Sequence, residues 1–134
     1  EQIKRLDNNI KKRNYNHKLF LKNLRGDIFF KNFNLAGSSN YGLHLILKRK
    51  NKKLFKKVLK ILDINLIEYR IGSAGGGNQL RQPYLKKFKN KFKANKFYNT
   101  EHMHFYSLYI GNYPELSKSK IINLCKLLDN IKLN

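Results

Sequence analysis

The chain has 134 residues and a formal net charge of +21, from 29 lysines and arginines against 8 aspartates and glutamates. Its length suits one domain with one modest core, and no apolar run approaches the roughly 20 residues of a membrane span. A single cysteine, Cys125, excludes an internal disulfide and offers no metal pattern, so a soluble, cytosolic protein is expected.

The first residue, Glu1, falls inside a helical pattern, from which a piece of a longer protein is expected. Residues 1–25 repeat Ile3, Leu6, Ile10, Leu19, Phe20 and Leu24 at helical spacing, and Gly26 is a natural stop. Ile28, Phe29 and Phe30 suggest a short strand, and the run AGSSN (36–40) a loop. YGLHLILK then alternates Tyr41, Leu43, Leu45 and Leu47 on one face of a strand. A basic helix is predicted at about 51–62 and a second strand over 64–71, which delivers the chain to SAGGGNQLRQPYL (73–85). After Pro83 comes a basic stretch with Phe88, Phe92 and Phe97 among lysines, read as a short amphipathic segment laying its aromatics on the domain. FYSLYIGN (105–112) reads as a third strand ended by Gly111, and 116–132 as a last helix with Cys125 on its apolar face. This order predicts an α+β fold, a small and largely antiparallel sheet with packed helices.

The charge has the footprint of a nucleic-acid binder. Yet lysines number 23 and arginines only 6, although arginine suits bidentate recognition of phosphate and guanine. Abundant Lys, Asn and Ile are also what an A+T-rich genome favours. A weak, salt-sensitive affinity for polyanions is expected in either case, and a free-standing basic module that stacks bases on its phenylalanines is the alternative function.

The glycine run lacks the G-x-x-x-x-G-K-[ST] of a phosphate loop and opens no evident helix. Glycine lets backbone approach a ligand, while Asn78, Gln79, Arg81 and Gln82 supply amides and a guanidinium. A ligand-contacting loop and a plain turn both fit those residue types. His102 and His104 are placed by their spacing on one face of the third strand, with no third metal ligand nearby, and read as edge or surface histidines. No nucleophile–base pair or carboxylate dyad is present, so the chain alone does not look catalytic.

Three stretches, taken in order, resemble the C-terminal part of the DegT/DnrJ/StrS family of nucleotide-sugar aminotransferases, which use pyridoxal phosphate (PLP). EQIKRLDNNIKKRNYN is similar to the long helix leaving that family's large domain. IEYRIGSAGGGNQLRQPYL is similar to its "G-I-E-x-R … A-G-N-x-x-R-Q-P" segment. HFYSLYIGNYPELSKSKIINLCKLLDNI resembles its "IGN-x-P" strand and closing helix.

The resemblance implies the small domain of a fold type I PLP enzyme, spanning 1–134, with the large PLP-binding domain outside this chain. It implies that Asn78, Arg81 and Gln82 line the mouth where a sugar nucleotide enters. Gly111 and Asn112 would return beside them, Gly75, Gly76 and Gly77 would bring backbone close to the ligand, and Ser39 is a further candidate. The Schiff-base lysine and the PLP phosphate site belong to the absent domain. Many members carry histidine where this chain has Arg81. The arginine form resembles the lipopolysaccharide-sugar branch, which includes 3-dehydratases as well as aminotransferases. Implied partners are a nucleotide-linked 4-keto-6-deoxy sugar, an amino donor such as glutamate for an aminotransferase, and a second copy in a full-length homodimer.

Overall fold

Apolar side chains three and four apart set the three longer helices of the computed structural model, which describes residues 3–72, 77–88 and 91–132, the side chains of 86–88 aside. Helix α1 is Leu6–Asn23, behind a 3₁₀ turn at Ile3–Arg5. Helix α2 is Lys52–Ile64, capped by Asn51, whose side-chain oxygen accepts from Leu54 N at 2.9 Å. A short helix, α3, is Tyr98–Tyr106, and α4 is Lys118–Asp129 with Ser117 as its cap. Such caps satisfy amides that the helical ladder leaves without partners.

Strands β1 (Gly42–Ile46), β2 (Arg70–Ile71) and β3 (Ser107–Gly111) form an antiparallel sheet in the order β1–β3–β2. Leu43 pairs with Ile110, and Leu45 with Leu108, which also pairs with Ile71. Period-two alternation therefore makes one apolar face, joined in a single core to Phe20, Val58, Leu62, Ile121 and Leu128 from the helices. The next row, His44, Tyr109 and Arg70, lies on the opposite face. Along the outer edge of β1, Phe29 bridges Leu47, with Phe30 N donating to Ile46 O and Lys48 N to Ile28 O, both at 2.9 Å. Arg25 joins the ends of α1 and α4, donating to the carbonyls of Asp129 and Ile131 at 2.9 and 2.7 Å.

The α+β class and the antiparallel sheet agree with the sequence reading; three local expectations do not. The predicted strand over 64–71 is reduced to two residues, because α2 runs on through Ile64 and Leu66 turns the chain with φ at +53°. The third strand begins at Ser107, since the residues before it form α3. Between them, 3₁₀ turns at Pro83–Phe88 and Ala94–Lys96 replace the predicted amphipathic segment. Phe92 and Phe97 are about half exposed, at 47% and 50%, rather than laid on the domain, and the side chain of Phe88 lies outside the described ones. Cys125 is buried in the core as expected, and desolvation pushes its thiol up to about 11, which leaves it unreactive. Among the described residues no helix is long and apolar enough to cross a membrane.

Candidate functional site

The loop that carries the RQP motif is organised around one carboxylate, Glu101 on α3. Arg81 donates from Nε to Oε1 at 2.7 Å and from Nη2 to Oε2 at 2.5 Å, a bidentate fork. Asn78 donates from Nδ2 to the same Oε1 at 2.6 Å and to the carbonyl of Ala94 at 3.1 Å. Its Oδ1 accepts from Leu80 N at 3.1 Å and so caps the 3₁₀ turn Gln79–Arg81. The Arg81 guanidinium also lies 4.7 Å from the centre of the Phe105 ring. Glu101 is held below its ordinary pKa, first by the Arg81 hydrogen bonds, and Arg81 is raised by the same contact. The side chain of Glu101 is only 12% exposed, against 39% for Arg81. The clamp therefore buries the acid and presents the base.

Asn78 is itself buried and spends its side chain inside the protein, so it fixes the loop. Gln82 is half-buried, its backbone N donating to Gln79 O at 2.9 Å, and no side-chain hydrogen bond occupies its amide among the described residues. Gly77 owes its lack of a side chain to this chain's own packing. A Cβ there would collide with His104 Nδ1 and stand 2.6 Å from the carbonyl oxygen of Gly72. Gly72 is equally constrained, its Cβ position being 2.7 Å from His104 O. At Gly77 the close approach seen is to α3. Gly75 and Gly76 lie outside the described residues.

Gly111 and Asn112 do not return beside this loop. In the antiparallel register β2 runs toward the Ser107 end of β3, whereas Gly111 and Asn112 sit at the other end, roughly 13 Å along the strand. There Asn112 is buried and donates to Asn40 O at 2.7 Å and Arg13 O at 3.0 Å, while Asn16 donates to its Oδ1 at 3.2 Å. It staples α1 to the turn before β1, a structural position. Ser39 is exposed in that same turn, away from Arg81. The predicted site residues therefore fall into two groups at opposite ends of the sheet.

His102 and His104 belong to α3, where two residues correspond to opposite sides of a helix. His102 donates from Nε2 to Leu47 O at 2.5 Å. His104 Nδ1 accepts from Asn78 N at 3.1 Å, which requires a ring not protonated at that nitrogen. Among the described residues no three His, Cys, Asp or Glu side chains gather as a metal site. Glu101, the carboxylate that organises the loop, is the residue that sequence reasoning missed. A usable signal existed: it is one of only 8 carboxylates in the chain and follows a run of lysines.

The loop's tie to His104 carries a pH dependence. Burial, aided by the nearby Arg81 and opposed by Glu101, lowers the His104 pKa in the fold. A group with a lowered folded pKa binds its proton more readily when unfolded, where imidazole titrates near 6.5. Its contribution is complete above that value and is lost progressively as pH falls from it through the lowered folded pKa. His17 and His44, also lowered mainly by burial, act in the same direction. The unfolding free energy in urea is expected to be flat from about pH 7 to 8 and to decline below about 6.5, with the Asn78 amide resonance moving as His104 titrates. An Asn78 amide that stays unmoved while the His104 ring resonances themselves titrate would show that this bond does not hold the loop.

No protein-family profile and no curated protein matches the chain. The class its fold defines is that of α+β domains in which helices pack on a small antiparallel sheet, here β1–β3–β2. Solved structures share it, among them two sugar dehydratases. One is the E. coli GDP-4-keto-6-deoxy-D-mannose-3-dehydratase with bound hydrated PLP, at 24% identity and a TM-score of 0.78. The other is a GDP-4-keto-6-deoxymannose-3-dehydratase with a trapped PLP-glutamate geminal diamine, at 23% identity and a TM-score of 0.70. Each match covers 96% of this chain and 33% of the dehydratase chain. The chain thus has the fold of about one third of those proteins.

Proposed function

We propose that the chain is the small domain of a PLP-dependent enzyme of the DegT/DnrJ/StrS type, acting in the cytoplasm on a nucleotide-linked 4-keto-6-deoxy sugar for lipopolysaccharide or another surface polysaccharide. The observation that carries this reading is the Asn78–Arg81–Glu101 clamp, in which the residues of the RQP-type motif are locked together. The fold shared with the two dehydratases supports it. Their names favour a sugar 3-dehydratase over an aminotransferase using a donor such as glutamate, and a homodimer is the expected assembly. The alternative, a free-standing nucleic-acid-binding module, draws on the exposed Phe92 and Phe97 among lysines.

Bound PLP supplies an electron sink for carbanion chemistry. The described residues of this chain do not fit as its anchor. A Schiff-base lysine is activated by desolvation, whereas every described lysine is exposed except the half-buried Lys31. The cofactor would be held outside this chain, and this chain's share of the work would be on the substrate side.

That work is recognition. A guanidinium has five N–H donors, and Glu101 takes one from Nε and one from Nη2. The remaining three are left for an oxygen-rich part of the sugar nucleotide, with the Gln82 amide one residue away. Glu101 offsets part of the Arg81 charge and fixes its plane, so hydrogen-bond geometry is what the site offers. Arg81→Ala in the complete enzyme is expected to raise KM for the sugar nucleotide roughly ten- to a hundredfold, the loss of a charge-assisted hydrogen bond of about 1.5–3 kcal/mol. Arg81→Lys should restore only part, because an ammonium lacks the planar fork. Steady-state kinetics and PLP content of both variants test this. Unchanged KM together with loss of PLP or of the fold would make the loop structural only.

A further inference from the structure

Helix α2 divides its side chains sharply. Leu54, Val58 and Leu62 are buried in the core, while Lys53, Lys56, Lys57, Lys60 and Ile64 are exposed. Their spacing sets these five on one stripe of the helix, roughly 16 Å long. None of the four lysines has an ion-pair partner among the described residues, and Lys57 alone of them donates a hydrogen bond, to Lys132 O at 3.4 Å. The one carboxylate of the helix, Asp63, sits against Tyr69.

Folding of the domain does not account for this stripe. Lys52 and Lys53 occupy the first turn, where the helix dipole disfavours cations, and no acidic residue accompanies them there. Lys53 and Lys57, like Lys56 and Lys60, are equal charges four residues apart and repel across one turn. Just beyond the helix the chain turns at Leu66 with φ at +53°, a region that glycine enters freely and leucine does not. Leu66 is 93% exposed and Ile64 68%, so this turn holds an aliphatic pair in water rather than in packing. Both features are unfavourable in water. Both become favourable against a partner whose anionic surface covers an apolar layer.

We infer that the outer face of α2 docks on an anionic lipid bilayer, with Lys53, Lys56, Lys57 and Lys60 at the headgroup phosphates and Ile64 and Leu66 entering the acyl boundary. Nucleic acid would meet the same lysines, but it gains nothing from an aliphatic tip, and this face carries no exposed aromatic ring on which bases could stack. The lysines supply a salt-sensitive attraction and the tip a second, salt-resistant one. This goes beyond the sugar-nucleotide reading and does not rest on it, because none of these six residues lines the concavity beside Glu101.

The test is co-sedimentation of the complete natural polypeptide with vesicles of phosphatidylcholine alone, and of phosphatidylcholine mixed equally with phosphatidylglycerol, at about 0.15 M salt. Binding is expected to the mixed vesicles only. Lys53→Gln, Lys56→Gln and Lys60→Gln together should weaken it roughly a hundredfold. Lys11→Gln, Lys18→Gln and Lys22→Gln together, which remove an equal charge from α1, should change it little. Leu66→Gly suits the left-handed turn, so the fold should be kept, while vesicle binding should fall about tenfold. No binding to the mixed vesicles, equal losses from the α1 and α2 triples, or binding unmoved by Leu66→Gly would overturn the inference. So would an oligothymidine that binds through the α2 lysines and displaces the protein from the mixed vesicles, since the face would then be a nucleic-acid surface.

Discussion

Gly77→Ala in the complete enzyme is expected to raise KM for the proposed sugar-nucleotide substrate beyond the effect of Arg81→Ala, and to lower the stability of the domain by about 1–3 kcal/mol. The new methyl group has nowhere to go. On one side it meets the His104 ring, on the other the Gly72 backbone, whose carbonyl carbon would be 2.9 Å away. Side chains can rotate, but Gly72 is itself wedged against the backbone of His104. The loop must therefore lift off α3, breaking the bond from Asn78 N to His104 and drawing Asn78 and Arg81 away from Glu101 together. Arg81→Ala removes one side chain; Gly77→Ala displaces the assembly that aims it. Gly111→Ala is the matched control, because a Cβ there meets nothing within 4 Å, and it should be close to neutral in both measurements. Equal tolerance of alanine at 77 and 111 would mean that the loop does not pack on α3 as described.

Phe20→Ala should cost about 3–5 kcal/mol, the range for emptying a fully buried aromatic site. Phe20 is 0% exposed and belongs to the core cluster that joins α1, α4 and the sheet. Its carbonyl accepts from Leu24 N, ending α1, and the Cys125 thiol of α4 points to it at 3.8 Å. Alanine removes the ring but leaves these backbone contacts, so a cavity remains that rigid helices cannot readily close. Urea unfolding reads the loss, with Phe92→Ala, at a ring 47% exposed, expected to stay within about 0.5 kcal/mol. KM of the folded Phe20→Ala enzyme should hardly change, which separates this role from that of Gly77. A cost below about 1 kcal/mol would place the structural centre of the domain elsewhere.

What the sequence revealed depended on how strongly each element patterns its apolar residues. Helices α2 and α4 bury Leu54, Val58 and Leu62, and Ile121, Leu124, Cys125 and Leu128, at spacings that admit no other reading. β1 alternates Leu43 and Leu45 with His44 and was equally legible. α3 was not, because its residues face two different surroundings and it has no single apolar face. Tyr98, His102 and Met103 line a cleft shared with Phe30 and Ile46, while Glu101, His104 and Phe105 meet the loop. The last residues of α3 therefore passed for the start of β3. The motif residues were found from resemblance, but their division between the two ends of the sheet was not. That division follows from strand register, and β2 is only two residues long. Asn78 and Asn112 look alike as exposed polar residues in a sequence; only the fold shows that both are buried staples.

The most direct test of the proposed function is the intact mass and cofactor content of the natural polypeptide that carries these 134 residues, purified from its own cells. The match to one third of each dehydratase chain leads us to expect a polypeptide about three times as long as this chain, carrying one PLP per copy. A natural product no longer than this chain, free of PLP and recovered bound to nucleic acid, would contradict the account.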